Sequence, residues 1–152
     1  SFGQPDARET GLRLREATRR RDGLLLVGLD AELAASIEAD GVHLPERALN
    51  QAPALAAARP GWRITGAVHT ADALTSAAGV NAAVLSPVFR AGGASAGRPP
   101  LGVDVFSGIV GESAVPVYAL GGINADNART LAGTGACGIA GVSAIRSAFG
   151  PA

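Results

Sequence analysis

Hydrophobic residues in this chain gather into six short runs, at positions 24–27, 41–44, 63–68, 82–85, 115–120 and 138–142. Each is shorter than a typical buried helix and rich in Val, Leu, Ile and Ala, as expected of strands covered on both faces. Stretches of helical character lie between them, at 31–38, 47–58, 70–78, 103–113 and 125–132, and another, 6–21, precedes the first run. Helix-start residues stand where the alternation needs them: Asp30 before Ala31, Thr70 and Asp72 ahead of an Ala/Leu run, and Asn124 followed by Asn127. The pattern predicts repeated βα units.

Repeated βα units impose parallel strands and right-handed crossovers, which leaves a doubly wound sheet or a TIM (β/α)8 barrel. The nearly even spacing of the runs, and the lack of a Gly-x-Gly-x-x-Gly turn after the first of them, favour the barrel. The one long interval, between 85 and 115, contains Arg90-Ala-Gly-Gly-Ala-Ser-Ala-Gly-Arg-Pro-Pro100 and reads as a mobile loop of the kind that covers a barrel active site. Eight βα units ordinarily occupy about 250 residues, whereas this chain has 152 residues and six runs. The expectation is therefore a single domain over 1–152, an N-terminally incomplete (β/α)8 barrel lacking its first two strands. Such a barrel would leave strand edges open to a second copy, as in a homo-oligomer.

Charge narrows the partners. Thirteen basic residues balance thirteen acidic ones, so the chain has no net field to hold a nucleic acid or an anionic membrane. No apolar run approaches the roughly 20 residues of a membrane span. The single cysteine, Cys137, excludes an internal disulfide and a cysteine-rich zinc site; it suits the cytoplasm and reads as a small core residue. All thirteen basic residues are arginines, so a cation in any site must be Arg. Arg98, in the glycine-rich loop, is placed to swing over a bound phosphate. Ser86 and Ser143 lack a nucleophile-elbow context and a His/Asp partner set, which argues against a serine hydrolase.

The most informative stretches are Val117-Tyr-Ala-Leu-Gly-Gly-Ile-Asn124 and Gly138-Ile-Ala-Gly-Val-Ser-Ala-Ile145. Each is a strand ending in small residues at a helix start. Two neighbouring ends of this kind expose backbone N–H groups and make an anion nest, which barrels commonly place after strands seven and eight.

Five motifs in order, Ala39-Asp-Gly-Val-His-Leu44, Leu85-Ser-Pro-Val-Phe89, Pro99-Pro-Leu-Gly102, Ala119-Leu-Gly-Gly-Ile123 and Gly138-Ile-Ala-Gly-Val-Ser-Ala-Ile145, resemble the thiamine phosphate synthase family and its thiazole tautomerase relatives. The resemblance covers about residues 10 to 149 and implies a (β/α)8 barrel. It also implies a reaction in which hydroxymethylpyrimidine diphosphate loses pyrophosphate, with Mg2+ neutralising the leaving group, and the resulting cation is captured by a thiazole phosphate. Small phosphorylated thiazole and pyrimidine ligands are the partners it implies. The thiazole phosphate maps onto Gly121, Gly122, Val142 and Ser143.

The diphosphate half departs from the family pattern. Gly28-Leu29 stands where the family has Asn-Asp, and Ala48 where it has a second metal carboxylate; the nearest acids are Asp30 and Glu46. Ala67 replaces a serine, and Ala91, Gly92, Gly93 and Ala94 replace the loop hydroxyls and lysine. The acid/base histidine of the tautomerases precedes Val-Phe, a place held here by Pro87. His69, at a strand end, is the better-placed imidazole for moving a proton near neutral pH, while His43, inside its strand, reads as structural. Three readings stay open: a thiamine phosphate synthase, a non-catalytic carrier of thiazole phosphate or thiamine phosphate, and an acid/base enzyme on a small phosphorylated substrate that uses His69.

Overall fold

A computed structural model describes residues 6–149; the outermost positions of the expected 1–152 domain, 1–5 and 150–152, lie outside the described residues. The six strands appear where hydrophobicity placed them: β1 (Leu26–Gly28), β2 (Gly41–Leu44), β3 (Arg63–Val68), β4 (Ala82–Leu85), β5 (Val117–Ala119) and β6 (Gly138–Ile139). The fifth is shorter than its run because the Val115 N–H turns to Ser113 Oγ at 3.2 Å and Pro116 has no N–H to give.

Helices α1 (Ala7–Arg19), α2 (Ala31–Ser36), α3 (Ala52–Ala58), α4 (Ala71–Thr75), α5 (Gly102–Gly111) and α6 (Ser143–Phe149) complete the alternation. Two of the expected caps form: Asp30 Oδ1 accepts the Leu33 N–H at 2.8 Å, and Thr70 Oγ1 accepts that of Ala73 at 3.1 Å. The segment before α3 is a 3-10 turn, Glu46–Gln51. The helix expected over 125–132 is a correction, since only a 3-10 turn, Ala128–Leu131, forms there. Asn124 Oδ1 accepts the N–H groups of Asp126 and Asn127, giving the backbone an alternative to the helical ladder. The long loop holds one 3-10 turn, Gly93–Ser95. No helix among the described residues is long and apolar enough to cross a membrane.

Strand order is β1-β2-β3-β4-β5-β6. Doubly wound sheets reverse their order at a switch point. Sequential parallel strands, each with its crossover, belong instead to the TIM-barrel type of α/β fold. Among the described residues β1 pairs only with β2, and β6 only with β5.

The chain divides into two compact units within β3, after Gly66; Ala77–Asn81 belongs with the first unit. In the first, Val42, Leu44 and Ile64 are at most 1% exposed and carry the core, while the alternate positions His43 and Thr65 stand half-buried on the other face. Helix α1 presents Gly11, Arg15 and Arg19, four residues apart, to one side. Gly11 lies against Ile37, and Arg19 meets Glu38 at 2.8 Å. Arg15 grips Asp40 with both terminal nitrogens, one of them at 2.9 Å. Asp40 also accepts the Leu25 N–H on its carboxylate at 2.8 Å and the Arg63 N–H on its carbonyl at 2.8 Å. One aspartate thus ties α1 to the starts of β1 and β3. In the second unit Val68, Ala83, Leu85, Val117 and Ala119 on the strands and Phe106 on α5 are all at most 1% exposed.

Burial alone would raise the Asp40 carboxyl, but the Leu25 N–H and the Arg15 guanidinium outweigh it and hold the group below the usual aspartate range. A depressed folded value means stability that is full above about pH 4 and lost as pH falls through that lowered value. Asp40→Asn should cost about 1–2 kcal/mol at neutral pH, after discounting for partial exposure. Denaturant melts of both proteins from pH 7 to 2 should show the difference shrinking at the acid end.

Candidate functional site

The site is built where β5 and β6 end. Beyond Ala119, the Leu120 N–H donates to Leu85 O at 3.0 Å, and two glycines follow with left-handed backbone, Gly121 at φ 104° and Gly122 at φ 65°. A Cβ on Gly121 would stand 2.6 Å from Pro87 Cβ, and one on Gly122 would stand 2.4 Å from Arg90 O. Conformation and space both demand glycine here. The neighbour responsible is the segment 86–90 that follows β4. Its Val88 N–H donates to Leu120 O at 2.9 Å and its Phe89 N–H to Gly121 O at 3.0 Å.

Strand β6 brings the second end alongside. Ala119 pairs with Ile139, so Gly121 and Gly141 each stand two residues past a paired position. The Ala140 N–H donates to Ala119 O at 2.8 Å, after which Val142, 63% exposed, and exposed Ser143 lead into α6. Among the described residues no acceptor takes the N–H of Gly121, Gly122, Ile123, Val142 or Ser143. Backbone donors are normally paired, so two adjacent strand ends with spare amides are suited to an anion.

His69 lies at the end of β3 with Nδ1 2.7 Å from Ser86 O and 3.3 Å from Ser86 Oγ. A carbonyl only accepts, so Nδ1 carries the proton and donates it. Ser86 is buried, and its N–H donates to Val68 O at 3.1 Å. The imidazole therefore anchors the near end of the segment on which the glycines rest. His43, on β2, has Nδ1 2.9 Å from Oγ1 of Thr65, its register partner on β3, and burial lowers its pKa. Arg98 is exposed at the end of the loop, its N–H donating to Ser95 O at 3.0 Å. Cys137, expected in the core, is exposed; its thiol donates to Val117 O at 3.3 Å, a correction that follows from its place just before the edge strand β6.

A family model described as thiamine monophosphate synthase matches residues 2–145. A thiamine-phosphate synthase of Archaeoglobus fulgidus is 34% identical over 145 residues, covering 94% of this chain and 68% of its own. A putative thiamine-phosphate synthase 2 of Aquifex aeolicus is 30% identical, with 86% and 70% covered. The solved thiamine phosphate pyrophosphorylase of Pyrococcus furiosus superposes with a TM-score of 0.78 at 27% identity, over 99% of this chain and 76% of that one.

The chain belongs to the thiamine monophosphate synthase family. Its function lies in thiamine biosynthesis, at the step that forms thiamine phosphate. The chain spans about two thirds of the length of the Archaeoglobus relative.

The glycine nest of the second unit and the metal positions that the resemblance implies in the first unit differ. Gly121 and Gly122 stand beyond β5 with left-handed backbone, and Val142 and Ser143 stand beyond its paired neighbour β6. Leu29 and Ala48, at the positions where the resemblance implies metal carboxylates, offer no side-chain donor to a magnesium ion; of the nearest acids, Asp30 uses one oxygen to cap α2 and Glu46 opens the 3-10 turn ahead of α3. No group of three or more His, Cys, Asp or Glu that could hold a metal comes together among the described residues. Asn127, expected in a helix-start pair, instead bonds one of the nest glycines. Asn127 donates its side-chain amide to Gly122 O at 2.8 Å, and the Asn124-x-x-Asn127 spacing was the only trace of it.

Two substitutions separate conformational strain from close contact. Gly133 has φ 84° with open space where its Cβ would go, so Gly133→Ala should cost only the left-handed penalty, about 1 kcal/mol. Gly122→Ala adds the contact with Arg90 O and should cost about 2–3 kcal/mol in denaturant melts. A second test concerns His43, whose folded pKa is depressed. The unfolded chain holds more protons between that lowered value and about 6.5, so stability should fall as pH drops below about 6.5. His43→Gln should remove that part of the pH dependence, read from denaturant midpoints at pH 5 to 8.

Proposed function

We propose that this chain holds the phosphate of a thiazole phosphate on the amides of Gly121, Gly122, Val142 and Ser143, and presents the thiazole for thiamine phosphate formation. In that reaction the carbon–oxygen bond between the pyrimidine methylene and the diphosphate breaks and pyrophosphate leaves with the electron pair. The thiazole nitrogen then forms the new carbon–nitrogen bond. The nest's contribution is orientation: it fixes one end of the thiazole so that its nitrogen faces the methylene carbon, turning an encounter into a positioned step. The observation that carries this reading is the pair of left-handed glycines, wedged against 86–90, beside amides with no acceptor among the described residues.

Within this reading His69 steadies the Ser86 turn through Nδ1, and Arg98 reaches the bound anion from the loop. A second reading, a binding protein for thiazole phosphate without turnover, is supported by one specific feature, the replacement of the family's metal carboxylates by Leu29 and Ala48.

Calorimetry with thiazole phosphate should give a binding isotherm, and Gly122→Ala should weaken it about tenfold, the effect of one lost hydrogen bond to a charged group. No heat at millimolar ligand, with the protein folded by circular dichroism, would overturn the reading. An assay with hydroxymethylpyrimidine diphosphate, thiazole phosphate and magnesium separates the two alternatives: product formation supports the synthase, and tight binding without product supports the carrier.

A further inference from the structure

We infer that Asn127 is the positioning residue of the phosphate site: without touching the ligand, its side-chain amide aims the Ile123 N–H at the anion. The inference rests on the phosphate reading above.

Both ends of the Asn127 amide are engaged. Oδ1 accepts the Asn124 N–H at 2.9 Å, and Nδ2 donates to Gly122 O at 2.8 Å. An acceptor facing an N–H and a donor facing a carbonyl fix which way the amide points. A trans peptide is planar, with its C=O and N–H antiparallel. Holding Gly122 O toward Asn127 therefore turns the N–H of the same peptide, that of Ile123, to the opposite side. The preceding peptide is held the same way by a different partner: Gly121 O receives the Phe89 N–H at 3.0 Å, which turns the Gly122 N–H away from 86–90.

Two successive donors are thus aimed by the bonds their own carbonyls accept. One holder is backbone and the other is a side chain, which makes the second accessible to substitution. Glycine freedom makes the hold necessary. Gly121 and Gly122 have positive φ and no Cβ to restrict the peptides between them, so an unheld Gly122–Ile123 peptide could rotate and lose its aim.

The test compares calorimetric affinities for thiazole phosphate and for the same thiazole alcohol without phosphate. Asn127→Ala should weaken the phosphate ester about tenfold, the size of one hydrogen bond to a charged group, and leave the alcohol unchanged. Asn127→Asp keeps the acceptor for the Asn124 N–H and lacks only the donor. It should show the same selective loss in about 0.5 M salt, where its added charge is screened.

Thr130→Val is the structural control. It removes the Thr130 hydroxyl bond to Asn127 O, 2.7 Å, from the same turn and should leave the ester-to-alcohol ratio at the wild-type value. In nitrogen-15 spectra of the ligand-free protein the Ile123 amide should move in both Asn127 variants and stay in place in Thr130→Val. Equal loss for both ligands, an unchanged ratio, or an unmoved Ile123 amide overturns the inference. A wild-type protein with no preference for the ester overturns the phosphate reading and this inference with it.

Discussion

Gly121 and Gly122 approach the segment 86–90 more closely than any side chain allows, and the second unit is arranged around that approach. The Leu120 and Gly121 carbonyls face the Val88 and Phe89 N–H groups, the Gly122 carbonyl faces the Asn127 side chain, and the N–H groups of Gly122 and Ile123 are turned the opposite way. The same contact ties the end of β5 to the segment after β4, while the Ala119–Ile139 pairing carries the alignment to β6. His69 and Asn127 hold this arrangement from two sides, one through Ser86 O and the other through Gly122 O. The anion site proposed here is therefore one of backbone packing, with side chains serving to keep the backbone in place.

The first unit solves a comparable problem by charge. Asp40 receives donors from Arg15, Leu25 and Arg63, so one residue gathers a helix and two strand ends. Close packing between backbones responds weakly to pH, whereas a carboxylate gathering donors fails when it is protonated. The lowered carboxylate of Asp40 accordingly gives the first unit a tie that acid loosens.

Most of the fold was legible because strand periodicity is a strong signal: β2, β3 and β4 coincide with their hydrophobic runs residue for residue. What escaped were places where a side chain competes with the backbone. Asn124 has the sequence context of a helix start, yet its oxygen takes two successive N–H groups and leaves only a 3-10 turn. Cysteine usually sits in the core, but the exposure of Cys137 depends on which strand lies beside it, and that is tertiary information. In the site, glycines announced the nest by their spacing. Asn127 could not be recognised, because its partner is a carbonyl five residues earlier and carbonyls leave no mark in a sequence.

The contrast between the nest glycines and the metal positions that the resemblance implies follows from what each is made of. A nest of amides needs only glycines and a firm neighbour, and it tolerates change in most surrounding side chains. A metal site needs carboxylates at fixed positions, and one substitution at each removes it. Leu29 carries a trace of that difference. It sits at φ 61° with its N–H on His43 O at 2.9 Å, a left-handed conformation that suits Asn, Asp or Gly and costs a leucine about 1 kcal/mol. The turn keeps a backbone made for a short polar side chain, at the position where the family resemblance implies an aspartate.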